Sequence, residues 1–291
     1  MIPAPRKALR DGASGGCTYA VFNAVDEGNA GDTGWYRDRI GVRGAHPRRA
    51  LVAALASTLL ASCGIPGPVS AAPPEEAARC TTTAAAVNGW GTPNRQDDFN
   101  DPRLPGWHLY DGPGHDGNGR RTPAAVSVTE GTLTITGAPN GDSGGMGWDS
   151  GQMYGRWEVC ARSPQAAPGY HSVLLLWPDA EDWPIGGEVD FMEAIDPTRQ
   201  SVEGWLHYGA EDHRVGGAVN VDATQWHSWA VEWTPKMITM YLNGNPWWTT
   251  TDIATFPPRA LHLCLQVDNF GGDIAAGGQQ LVDWVRQYPL T

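Results

Sequence analysis

The stretch Gly186-Gly187-Glu188-Val189-Asp190-Phe191-Met192-Glu193-Ala194 sets three carboxylates within six residues of an otherwise apolar run. Val189, Phe191 and Met192 give it the composition of a strand buried on at least one face. Side chains of a strand alternate, so Glu188 and Asp190 share a face. A regular strand would turn Glu193 the other way, into the apolar layer, where an unpaired charge is costly. One extra residue at Phe191-Met192, a β-bulge, brings Glu193 back beside the other two, and bulges are common next to functional sites. Three crowded carboxylates repel, which pushes their pKa values apart and keeps one protonated. A solvated acidic strand or a calcium site would use the same residue types. The apolar flanks weigh against the solvated strand.

From Asp97 onward no convincing long amphipathic helix is visible. Short strand-like runs recur between turns. Glu130-Gly131 predicts one hairpin and Asn243-Gly244 another, the second being the strongest such signal in the chain. Many short strands without interleaved helices predict an all-β domain, a sandwich or jelly roll of two antiparallel sheets. About 200 residues suffice for a single core. Trp157, Trp229, Trp233 and Trp284 fall at alternating strand positions and are expected in that core.

Further blocks surround the motif: Trp183-Pro184-Ile185 before it, Tyr154-Gly155-Arg156-Trp157-Glu158-Val159, Leu206-His207-Tyr208-Gly209, Trp229-Ala230-Val231-Glu232-Trp233 and Val282-Asp283-Trp284-Val285-Arg286. Together they resemble glycoside hydrolase family 16 from about Asp97 to Tyr288. The resemblance implies a concanavalin A-like β-jelly roll and a retaining endo-β-glycanase. It implies Glu188 as nucleophile, Asp190 as supporting carboxylate and Glu193 as general acid/base. With the bulge, Glu188 and Glu193 sit two pleats apart, roughly 6–7 Å along the backbone. Their carboxyl groups can lean toward the roughly 5–5.5 Å of a retaining glycosidase. The expected substrate is a β-glucan with β-1,3 or mixed β-1,3/1,4 linkages. A transglycosylase on the same fold, or a non-catalytic carbohydrate-binding jelly roll, would share the architecture. The intact carboxylate triad weighs against the latter.

The resemblance also places Trp183, in a loop beside Pro184, at a sugar-stacking position. Trp177, Trp148 and Trp107 are further candidates for cleft walls. His207, on a strand expected beside the motif, could hydrogen-bond Asp190, and Gln266 on a later strand could reach the same cleft. Asp283 matches a structural Ca2+ position of the family, away from the chemistry. No catalytic cofactor is expected, since no phosphate loop, Ser-His-Asp grouping or His/Cys metal spacing is present. The chain departs from common laminarinase patterns at Tyr170-His171, where a Trp-Pro-type pair is frequent.

The 291 residues carry a net charge of −12; residues 1–62 are net +3, so the remainder carries −15. That balance argues against nucleic acid, an anionic membrane or an acidic polysaccharide as the main partner. A neutral polysaccharide substrate and a monomer are expected. Residues 1–41 fit no export scheme and are expected to precede the natural start of translation, near Val42, and to be disordered. Residues 42–71 read as an export signal: Arg43, Arg48 and Arg49 lead into the apolar segment 50–61, too short to span a bilayer. Leu60-Ala61-Ser62-Cys63 resembles a bacterial lipobox, with Cys63 lipidated as a membrane anchor. Val69-Ser70-Ala71 suits ordinary secretory cleavage instead. Either way the protein is expected outside the cell or on its surface. Residues 72–95 have a flexible linker's composition, and residues 96–291 form the catalytic domain. An oxidising setting permits a disulfide among Cys80, Cys160 and Cys264, while burial as free thiols is an equal reading.

Overall fold

The computed structural model describes residues 79–148 and 150–290. The extension 1–41, the export signal with Cys63 and the linker as far as residue 78 lie outside the described residues. Alternating strands build two large antiparallel sheets, as the sequence leads one to expect. The sheet that carries the motif, here the site sheet, runs in the order His213–Asn220, Ser201–Tyr208, Glu188–Ala194, Tyr170–Pro178, Leu261–Asn269, Gly145–Trp148, Trp107–Leu109. The opposite sheet runs Asn245–Thr250, Ile238–Leu242, His227–Trp233, Gly155–Arg162, Gly278–Tyr288, Thr132–Gly137, Val126–Thr129. Arg95–Asp97 adds to it along Gly278–Tyr288.

Inward side chains of both sheets merge into one buried core. Leu174, Leu176, Val189, Phe191 and Leu265 come from the site sheet, and Leu133, Trp157, Val159, Trp229 and Trp233 from the opposite one. Each such side chain contributes about 1.5–3 kcal/mol by leaving water, so the inward rows exclude charge, and the polar Gln287 enters them only as acceptor for the Trp157 indole N–H. The Asn243-Gly244 hairpin forms as expected: both residues take positive φ, 48° and 78°, and Leu242 pairs with Asn245. The edge strand His213–Asn220 was not legible, because Gly216 and Gly217 interrupt its alternation.

Two expectations are corrected. Trp284 does not join the core. A bulge between Val282 and Trp284 turns it onto the outer face, where the Arg286 guanidinium lies 5.0 Å from its ring centroid. The expected flexible linker also ends earlier than residue 95. Cys80 is bonded to Cys160, a helix spans Ala84–Asn88, and Trp90 is buried edge-on against Tyr241 and Tyr288. Thr83 caps the helix start by accepting from the Ala86 N–H, and Gly89 closes its end with φ 65°. The third cysteine, Cys264, is a buried free thiol.

Candidate active site

The motif strand holds the site because its register breaks where the sequence requires. Against Ser201–Tyr208, Glu188 pairs with His207, Asp190 with Trp205 and Glu193 with Glu203. Two residues, Phe191 and Met192, therefore span the place of one partner, Gly204. On the other side Leu175 pairs with Asp190 but Leu174 with Met192. This is the anticipated bulge. Because residues 207, 205 and 203 alternate by two, their partners Glu188, Asp190 and Glu193 share one face. Phe191 and Met192 both go to the core. Gly204 is required opposite them: a Cβ there would stand 2.6 Å from Met240 Sδ and 2.7 Å from the Trp247 ring.

The three carboxylates are buried, Glu193 retaining 5 % exposure. Burial first, then repulsion from Asp190, Glu203 and Asp268, holds the Glu193 pKa well above the usual carboxylate range, against a weaker opposing pull from Arg214. Both effects favour the protonated form of Glu193. His207 lies between two carboxylates: Nε2 is 3.2 Å from Asp190 Oδ2 and Nδ1 is 2.6 Å from Asp212 Oδ1. Burial alone would lower the imidazole pKa, but the hydrogen bond and charge of Asp190, joined by Asp212, outweigh it and raise the pKa. One ligand atom each of Glu188, Asp190 and His207 falls within a 4.8 Å spread, a spacing able to hold a cation. An imidazole that already bridges two carboxylates reads better as an ion-paired cation than as a metal ligand.

Trp177 and Trp183 lie on this outer face with Val173, Leu175, Cys264 and Tyr110. The two indoles are nearly parallel, centroids 6.2 Å apart at 11°, and Trp183 is 6.4 Å from the His207 ring. Gln266 is on the same face, fully buried, its amide donating to Asp268 at 2.7 Å, while Arg121 pairs with the other Asp268 oxygen. Trp107 and Trp148 are not cleft walls. They pair across neighbouring strands, stack at 5.1 Å and 5°, and belong to the inter-sheet core. A strand of three or four residues leaves its face undecided until register is known.

Asp283 lies on the opposite sheet and pairs with Arg79 at 3.2 Å. A calcium ion there would have to displace the guanidinium. Sequence reasoning missed His171, Asp212, Asp268 and Arg199. Arg199 is fully buried and donates to the carbonyls of Ala194, Asp196 and Tyr170, which ties the end of the motif strand to its neighbour. Its partners are all backbone, so no sequence pattern marks it.

The model of the family described as Glycosyl hydrolases family 16 matches residues 116–286, more than half of the chain. A beta-glucanase from Rhodothermus marinus is 30% identical over 151 residues, covering 45% of this chain and 51% of the relative, so the chain spans about half of that protein's length. Among solved structures, the laminarinase from Rhodothermus marinus aligns with TM-score 0.62 at 23% identity, covering 68% of this chain and 97% of that one. The laminarinase catalytic domain from Thermotoga maritima aligns with TM-score 0.60 at 20% identity, covering 69% and 98%. These structures share the jelly-roll fold, and the match over residues 116–286 takes in the whole motif strand: the chain belongs to glycosyl hydrolase family 16.

Proposed function

We propose that the protein is a retaining endo-β-glucanase that cleaves β-1,3 or mixed β-1,3/1,4 glucan. The observation that carries this reading is the bulge, which sets Glu188 and a protonated Glu193 on one face with Asp190 between them. Glu188 attacks the anomeric carbon while Glu193 gives its proton to the departing glycosidic oxygen. The resulting glycosyl ester on Glu188 is opened by water, whose proton returns to Glu193. Asp190, 3.2 Å from His207 Nε2, stands between the two. The Trp177–Trp183 pair offers flat apolar faces to sugar rings. The names of the relatives support a glucan substrate, and the Cys80–Cys160 disulfide supports export to an oxidising compartment.

The test is the anomer released early in hydrolysis, followed by proton NMR on laminarin and lichenan, with agarose and carrageenan as controls. The β-anomer forming first on a β-glucan is expected. The α-anomer would mean inversion, accumulation of longer oligosaccharides would mean transglycosylation, and binding without product would mean a lectin-like module. Any of the three would displace the proposal.

A further inference from the structure

His171 borders the carboxylate row, and the reaction just described gives it no part. Its Nδ1 lies 4.0 Å from Oε1 of Glu193. The ring is fixed by stacking on Phe270 (centroids 3.9 Å, 24°), which stacks in turn on buried His115 (4.0 Å, 28°). Nδ1 has no hydrogen-bond partner among the described residues; in the tautomer with the ring N–H on Nε2 it offers a lone pair toward Glu193. Burial first, then Arg199, holds the His171 pKa down at about 4, with Asp268 pulling the other way and His115 adding to the depression. Above that pH the ring is neutral. The charged groups acting on Glu193 are Asp190, Glu203 and Asp268, which favour its proton, and Arg214, which opposes it. His171 is the neutral acceptor among them.

We propose that His171 is the positioning residue of the acid: its Nδ1 lone pair accepts the hydrogen bond of the protonated Glu193 carboxyl until substrate enters. A carboxyl shift of about 1 Å closes the gap to the ~2.7–3.2 Å of a hydrogen bond, the kind of tightening expected between a free and a loaded site. The proton itself goes to the leaving oxygen and never to His171. This inference rests on Glu193 being the acid/base.

His171→Phe keeps a ring on Phe270 and removes the lone pair; His171→Asn returns an acceptor near the place of Nδ1. The experiment records kcat/KM against pH on laminarin, with thermal unfolding as the control for folding. Losing the acceptor lowers the Glu193 pKa, so the basic limb should move to lower pH by about one unit in His171→Phe, equivalent to about 1.4 kcal/mol, and return in His171→Asn. His171→Leu serves as a second lone-pair deletion should the aromatic substitute fail to fold. An unmoved limb in a folded deletion variant overturns the proposal. So does an equal displacement in His171→Asn, because a packing effect needs no lone pair. Glu193→Gln is run alongside: hydrolysis at the wild-type rate there would sink the acid/base assignment itself, independently of His171.

Discussion

Glu158 and Glu193 are both buried glutamates, one on each sheet, and burial raises the pKa of both. Their partners differ. Glu158 accepts from the Ser228 hydroxyl and from the Ala84 and Ala85 N–H groups at the start of the helix Ala84–Asn88. With three donors on it, it pins the N-terminal segment to the opposite sheet. Glu193 faces Asp190, Glu203 and Asp268 instead, so repulsion is added to burial. A raised carboxyl pKa alone does not mark catalysis. A raised pKa in a group whose neighbours are acids rather than donors makes it the better candidate acid, because its proton is held by repulsion and is available to a better base.

The comparison breaks if the two glutamates respond alike to the same isosteric change. Glu193→Gln should slow glucan hydrolysis by roughly 10²–10⁴-fold, the usual worth of a general acid. It should leave the melting temperature nearly unchanged, since a neutral amide takes the place of a carboxyl that already holds its proton. Loss of both rate and stability would mean that Glu193 is structural.

The opposite sheet should behave the other way round. Cys80→Ser opens a loop of sequence separation 80, and the chain-entropy estimate for such a loop is about 4.5 kcal/mol of lost stability. Chemical unfolding measures it, and kcat on laminarin should not change at temperatures where the variant is folded. A fall in kcat would show that the N-terminal staple reaches the site. Glu158→Gln is the direct counterpart of the Glu193 change and smaller. It places an NH2 against donors and should cost about 1–3 kcal/mol with kcat unaltered.

The two sheets were unequally legible. On the motif strand the sequence poses a conflict, since regular alternation would bury Glu193 in an apolar layer and expose Met192, and only a bulge resolves it. The second bulge, at Val282 and Trp284, carries no such conflict, because Trp suits either face; Trp284 was therefore assigned to the core. The N-terminal staple was illegible for another reason. One cysteine, one tryptophan and a short alanine helix scarcely alter an Ala/Thr-rich composition, yet Cys80, Ala84 and Trp90 each find a buried partner. His207 was readable as a neighbour of Asp190 because it sits in a strand run. His171, Asp212 and Asp268 were not, since their contacts depend on register and loop paths that no local pattern encodes.

The smallest effect tests the site sheet alone, at Asp212. Asp212→Asn keeps an oxygen that can accept from His207 Nδ1 and removes only the charge. The wild-type folded pKa of His207 stands above its ordinary value near 6.5, because Asp190 and Asp212 together outweigh burial. A raised pKa means that the folded state binds the proton more tightly than the unfolded chain. The stabilisation is therefore fully present below pH 6.5 and fades as pH rises through the folded value. Removing the Asp212 charge brings the folded pKa down. The melting-temperature gap between wild type and variant should be widest near pH 6 and close at alkaline pH. Each unit of pKa lost corresponds to about 1.4 kcal/mol, and kcat should fall by less than about tenfold, because Asp190 still holds Nε2. A gap that stays constant with pH would show that His207 is neutral in both proteins and that Asp212 merely orders its loop. The charged contrast with His171, neutral above about pH 4 on the other side of the same carboxylate row, would then be lost.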